Sequence, residues 1–419
     1  MSRIHDKLMH PSDPTTSDPR RDTYVVVSGW YGHRNSGDEA ILIVLLEQLA
    51  QLGIHRTSVL TGQPDEVTRC YGPAGTVGVR DWETVGLHGL SNLVRGRLVG
   101  KLQHQAGAAA FVLGGGSLLR DNNTRRNLLR LLDDVFIASM CRVPVFFYAL
   151  GVGPLTTRLG RWLIGLAARR ADIATVRDEA SAELLRSLGV PEERIAIVTD
   201  PAFLLPDARR EDAIELAGLS DFLAQHSRTV FIYPTLAMTR PPLADNHDRH
   251  LQMMAAALTR LWCEDGRAVV MVPMRVTGSD DDVEASRRIV RFMDSACPVH
   301  IIEQELSPPM IRALTSVAGI NVTVRLHAMI YAVSLGIPCV AMNYEPKVLA
   351  NAKRFGIADR VVEFGPGWDQ YLVEQVRRLD REMPQARASL AASLPTLRQG
   401  AMRTFELLGQ LLNRSAHNC

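Results

Sequence analysis

Apolar residues in this chain gather into short unbroken runs instead of alternating with polar ones. In the first half the runs cover residues 24–28, 57–60, 108–113, 145–150, 173–176 and 196–198. In the second half they cover 230–233, 268–274, 299–302, 320–324, 339–342 and 361–364. Runs this short, rich in Val, Ile and Phe, predict strands buried on both faces, as in parallel sheets. Between them the apolar spacing widens to the helical period, as at 40–52, 250–263, 282–293 and 308–317, and the chain closes with helical pattern over 369–412. Strands alternating with helices predict a parallel α/β fold. The chain has 419 residues, enough for two ordinary cores. Residues 204–210 carry Pro206 beside Asp207, Arg209 and Arg210 and are read as the linker. The expected organisation is a polar, disordered lead-in (1–22), an N-terminal Rossmann-like domain (23–205), a C-terminal Rossmann-like domain (206–382) and a closing helical segment (383–419). The expected architecture is two doubly wound domains facing a cleft.

The loops between strands and helices hold the candidate chemistry, because open α/β sheets bind ligands beyond the carboxyl ends of their strands. The first such loop runs Gly29-Trp30-Tyr31-Gly32-His33-Arg34-Asn35-Ser36-Gly37-Asp38-Glu39. Its glycines let backbone approach a ligand closely, but the spacing is not that of a dinucleotide fingerprint. Gly114-Gly115-Gly116-Ser117 follows another strand and can offer several N–H groups to an anion, or serve close helix–sheet packing. The run 173–176 delivers Arg177 ahead of Asp178, and the run 320–324 delivers Arg325 with His327 at the mouth of a helix. That helix carries Met329, Ile330, Val333 and Leu335 and is stopped by Gly336-Ile337-Pro338. A fixed cation and an imidazole beside a helix N-terminus suit an anionic ligand. The alternative is structural: Arg325 pairs with a carboxylate and His327 caps the helix, and Arg177 pairs with Asp178.

A formal net charge of +2 gives no global field for nucleic acid. No apolar run reaches the ~18 residues of a membrane span, and the N-terminus lacks a signal-peptide layout. The six cysteines are scattered, with no C-x-x-C pair, so neither a disulfide framework nor structural zinc is expected, and the compartment expected is cytoplasmic. Asp280-Asp281-Asp282 reads as a helix start favoured by the dipole, and no metal site is expected. Two segments, 93–101 and 158–170, mix bases with apolar residues at helical spacing. They suit either an ordinary surface helix or contact with anionic lipid.

Taken together, the blocks resemble the polysaccharide pyruvyl transferase family. The matching pieces are 32–40 with Asn35, Gly37, Asp38 and Glu39, then Leu113-Gly114-Gly115-Gly116, and then 149–154 ending in Gly151-Val152-Gly153-Pro154. Val176-Arg177-Asp178 with Ser181, Asp200-Pro201, Arg325-Leu326-His327-Ala328 and Tyr344-Glu345-Pro346-Lys347 complete the order. The resemblance implies two Rossmann-like domains arranged as in GT-B glycosyltransferases. It implies phosphoenolpyruvate as a co-substrate, with no cofactor, and a sugar diol as acceptor, on a cell-surface glycan or its lipid-linked precursor. It implies Arg325 and His327 as catalytic residues, and Arg177, Arg325, Gly115 and Gly116 at the donor. Asn35, Asp38, His33, Tyr344 and Lys347 are the acceptor candidates. Trp30 and His33-Arg34 depart from the smaller residues of the family pattern.

The chemistry agrees with those residue types. Arginine forks suit a small skeleton bearing a carboxylate and a phosphate. The enol-ether carbon becomes electrophilic once its methylene is protonated, and histidine is the usual group for such a transfer near neutral pH. A nucleotide-sugar glycosyltransferase, with Glu345 gripping a ribose, is the rival enzyme class. A non-catalytic scaffold on the same fold is the third reading.

Overall fold

A computed structural model describes residues 23–72, 77–81, 102–121, 125–239 and 248–417. The expected lead-in (1–22) and the basic segment 93–101 lie outside these residues. The chain forms two compact units. Unit 1 holds the described residues through His33, Ile41–Val198 and those from Met402 onward, and unit 2 holds Arg34–Ala40 and Thr199–Ala401. Compact packing thus moves a piece of the first loop into unit 2 and the end of the chain into unit 1, which linear segments cannot express.

Unit 1 is a seven-stranded parallel sheet in the order β3-β2-β1-β4-β5-β6-β7. The strands are β1 (Tyr24–Ser28), β2 (Arg56–Thr61), β3 (Val77–Asp81), β4 (Ala110–Gly114), β5 (Val145–Leu150), β6 (Ile173–Val176) and β7 (Ile195–Ile197). Strand side chains alternate between two apolar faces, which explains the unbroken runs. Val25, Val27, Ala110 and Val112 join Ile41, Leu45, Leu408 and Leu411 on one face. Val26, Phe111 and Leu113 join Leu131, Leu132 and Val135 on the other. Sequence patterning missed β3, whose Val-Gly-Val-Arg-Asp lacks an apolar run.

Unit 2 is a six-stranded parallel sheet in the order β10-β9-β8-β11-β12-β13. Its strands are β8 (Thr229–Tyr233), β9 (Ala268–Met271), β10 (Val299–Ile301), β11 (Ile320–Thr323), β12 (Cys339–Asn343) and β13 (Val361–Glu363). Val230, Ile232, Val269, Met271, Val322 and Val340 pack with Leu251, Met254 and Leu258 of the helix Arg249–Asp265. β9 is shorter than the run 268–274 predicts. Pro273 has no N–H to give a ladder, and the Met274 carbonyl instead accepts from Ser36 N at 2.9 Å. In each sheet the order reverses at one place, between β1 and β4 and between β8 and β11. Ligands of doubly wound sheets bind at such switch points. Gly115 and Gly116 follow β4, and Arg325 follows β11.

Candidate active site

β11 hands over to the helix Leu326–Ser334, with Arg325 as its N-cap residue in extended backbone. The Arg325 guanidinium does not project freely. It donates to both oxygens of Asp282, at 2.5 and 3.2 Å, and lies 2.9 Å from Asp280 Oδ2. Asp282 also accepts from the N–H groups of Met274 and Arg275, each at 3.0 Å. The side chains are 13% (Arg325) and 0% (Asp282) exposed, so this is a buried ion pair held by a planar fork. Burial, with Asp280 adding, pushes the Asp282 carboxyl up to about 6, against Arg325 and the Met274 N–H, which pull it down. Burial works against the Arg325 charge, but Asp282 and then Asp280 outweigh it and hold the guanidinium above its ordinary value. The acidic run therefore divides its work. Asp281 caps the helix Asp282–Val290 by accepting from Val283 and Glu284 N–H groups, as a helix start should, while its neighbours on either side clamp Arg325.

His327 enters one residue inside the same helix. Its Nε2 is enclosed, without a hydrogen-bond partner, 3.6 Å from Oδ2 of the buried Asp200. Asp200 is itself fixed, accepting from Ala202 N at 3.0 Å. The opposite edge of the ring lies over Gly37, where a Cβ would stand 2.1 Å from His327 Nδ1. No side chain fits there, so this glycine makes room for an imidazole. Tyr331, one turn later on the same face, fixes the neighbouring residue: its hydroxyl donates to the Ser36 carbonyl at 2.9 Å and lies 2.9 Å from Ser36 Oγ. Asn35 closes the loop on itself, accepting from Gly37 N at 3.3 Å and donating to Asp38 at 2.7 Å. The first-loop motif and the R-L-H motif, nearly three hundred residues apart in sequence, thus form one cluster within unit 2.

The other candidates are placed as follows. Tyr344 lies near enough to Arg325 to feel its charge; burial, with Glu345 adding, pushes its hydroxyl up. Lys347 pairs with Glu345 at 2.7 Å, so the rival ribose-gripping carboxylate is already engaged. In unit 1, Gly115 and Gly116 take φ of +87° and +71°, which a side chain resists, and the Gly116 carbonyl accepts from Gly151 N at 3.1 Å. Arg177 is buried, and its Nη2 reaches to 3.3 Å from where a Gly151 Cβ would stand. Asp178 turns to Ser181 N at 2.7 Å and caps the helix Glu179–Ser187. His33 stacks on Trp30 with ring centroids 3.9 Å apart, also in unit 1. Sequence reasoning missed Asp200 as the neighbour of His327. It also missed Arg275, which follows the apolar run 268–274 as Arg177 and Arg325 follow theirs.

Two parallel α/β units of doubly wound order define a GT-B-like fold, and solved structures share it. A glycosyltransferase from Rickettsia africae superposes with TM-score 0.63 at 10% identity, covering 95% of this chain and 100% of that one. The UDP-GlcNAc 2-epimerase from Neisseria meningitidis gives 0.60 at 12% identity, covering 94% and 100%. Identity this low speaks for the fold alone. The family is shown by sequence: the polysaccharide pyruvyl transferase model matches residues 35–346, well over half of the chain, which belongs to that family. A relative, the amylovoran biosynthesis protein AmsJ of Erwinia amylovora, is 21% identical over 249 residues, or 57% of this chain and 58% of that protein. The chain thus spans less than two thirds of that relative's length.

Proposed function

We propose that the protein moves the enolpyruvyl group of phosphoenolpyruvate onto a sugar diol, forming a pyruvate ketal and releasing phosphate. The observation that carries this reading is the His327 cradle, a partly buried imidazole set between Asp200 and Gly37 within a family of pyruvyl transferases. In this reading His327 gives a proton to the donor methylene, which becomes the methyl group. One sugar hydroxyl then bonds to the electrophilic carbon and gives up its proton. The second hydroxyl bonds to the same carbon and loses its proton as the carbon–oxygen bond to phosphate breaks, so that one hydroxyl proton returns to His327 and the other leaves on the phosphate. Asp200 is a positioning residue that faces the Nε2 edge of the ring. Arg177, Gly115 and Gly116 are proposed as donor-binding residues on the family resemblance, and Asn35 and Asp38 at the acceptor. Purified protein given phosphoenolpyruvate and lipid-linked or nitrophenyl sugars should release phosphate only with an acceptor, and the product should gain one pyruvate less one water. Release of a nucleoside diphosphate from a nucleotide sugar, with no such gain, would transfer the assignment to the glycosyltransferase class.

The acceptor is proposed to be lipid-linked, with the protein at the inner face of the membrane. No helix among the described residues is long and apolar enough to cross a membrane. The helix Arg158–Ala168 turns Ile164, Ala167 and Ala168 inward, but leaves Leu159 and Trp162 each 60% exposed beside the exposed Arg158 and Arg161. An ordinary surface helix hides such side chains; a helix lying at an anionic interface shows them. Flotation with anionic vesicles at low salt should carry the protein upward, and Trp162→Ser with Leu159→Ser should leave it at the bottom. Equal flotation of the two proteins would remove this helix from the reading.

A further inference from the structure

We infer that Arg275 is an anion-binding residue of the His327 site and takes the phosphate or carboxylate of the donor. The inference rests on the donor reading above. Arg275 is set in place by its backbone. Its N–H donates to Asp282 at 3.0 Å, its carbonyl accepts from Asp282 N at 2.8 Å, and it forms an antiparallel bridge with Asn35. Two residues beyond Asn35 is Gly37, on which the His327 ring rests. The backbone of Arg275 therefore borders the loop segment that carries the cradle.

The carboxylates next along the chain are already committed. Asp280 and Asp282 hold Arg325, and Asp281 caps the helix that follows. No ion pair engages Arg275 among the described residues, and its Nε is enclosed without a hydrogen-bond partner. Its Nη2 lies against Gly278, 3.2 Å from where a Cβ would stand, in a turn with φ of +82° that keeps a side chain away. A half-buried guanidinium without an anion is costly, so its presence here points to a partner that arrives with substrate. The planar fork matches a carboxylate or a phosphate face to face. The Nε and Nη2 of Arg325 are held by Asp282 and Asp280, so Arg275 adds a second guanidinium whose charge no carboxylate of the described residues meets.

The test is calorimetric titration of phosphoenolpyruvate, inorganic phosphate and pyruvate into the wild-type protein, Arg275→Gln and Arg275→Lys, with thermal unfolding of each. Arg275→Gln should weaken phosphoenolpyruvate binding by ~10- to 100-fold, the usual loss for a hydrogen bond to a charged group, and Arg275→Lys should recover part of it. A parallel loss for phosphate assigns the phosphate, and a parallel loss for pyruvate the carboxylate. The ligand-free melting temperature of Arg275→Gln should equal or exceed that of wild type, because an uncompensated charge has been removed. Unchanged phosphoenolpyruvate affinity in Arg275→Gln overturns the inference and leaves the donor reading standing. Wild-type protein that binds phosphate through Arg275 but not phosphoenolpyruvate keeps the anion site and removes the donor reading. Binding of none of the three overturns both.

Discussion

His327→Ala is expected to lower turnover by ~10²–10⁴, the usual range for an acid–base group, while donor affinity stays within about tenfold. His327→Asn should be nearly as slow, since an amide cannot pass a proton at neutral pH. The cradle supplies a stricter companion experiment. Gly37→Ala puts a methyl carbon where the ring now is, 2.1 Å from Nδ1, so the imidazole must leave its place beside Asp200. Turnover of Gly37→Ala should therefore approach that of His327→Ala although every titratable side chain is intact. Both variants should bind phosphoenolpyruvate in a calorimeter. If Gly37→Ala turns over at the wild-type rate, the position of the imidazole does not matter and the acid–base role passes to another residue. His33, in the first loop, is then the candidate.

Arg325→Ala is expected to destabilise the fold by ~3–5 kcal/mol, because it leaves Asp282 buried without its counter-charge. The family resemblance implies a donor role for Arg325, and a raised donor Michaelis constant is expected from its loss. The clamp by Asp282 and Asp280 makes stability the larger effect. Arg325→Lys should restore only part, since an ammonium cannot span both oxygens of Asp282. Arg325→Met combined with Asp282→Leu removes both buried charges and should recover most of the lost stability. Urea unfolding of the three variants measures this directly. An Arg325→Ala midpoint equal to that of wild type would falsify the clamp, and the guanidinium would then have to be free for a ligand.

Much of this was legible in the chain because both sheets are buried on two faces, which writes each strand as an unbroken apolar run. β3 was not, since Gly78, Arg80 and Asp81 interrupt it. The R-L-H motif and the first-loop motif were both legible, but not that they meet. Gly37 was read as making room for a ligand, and it makes room for a side chain that arrives from the far half of the sequence. The acidic run 280–282 reads as one helix start, because local pattern cannot show that a guanidinium 43 residues later lies between two of its carboxylates. Arg275 was hidden by Pro273 and Met274, which extend the apolar run past the true end of β9. Pairing decides which arginine is spent on structure and which is open to substrate, and pairing is a property of three dimensions.

The end of the chain has a consequence for the order in which the protein can be made. Leu407, Leu408, Leu411 and Leu412, near the end of the helix Met383–His417, pack on the same face of the first sheet as Val25, Val27 and Ile41. A nascent chain that has emerged as far as β7 has every strand of unit 1 but lacks the side chains that finish this face. Its apolar surface stays open while the whole of unit 2 is synthesised, although N-terminal units ordinarily close first. Vectorial folding is thus replaced here by a late closure, and the final helix acts as the last piece of the first domain.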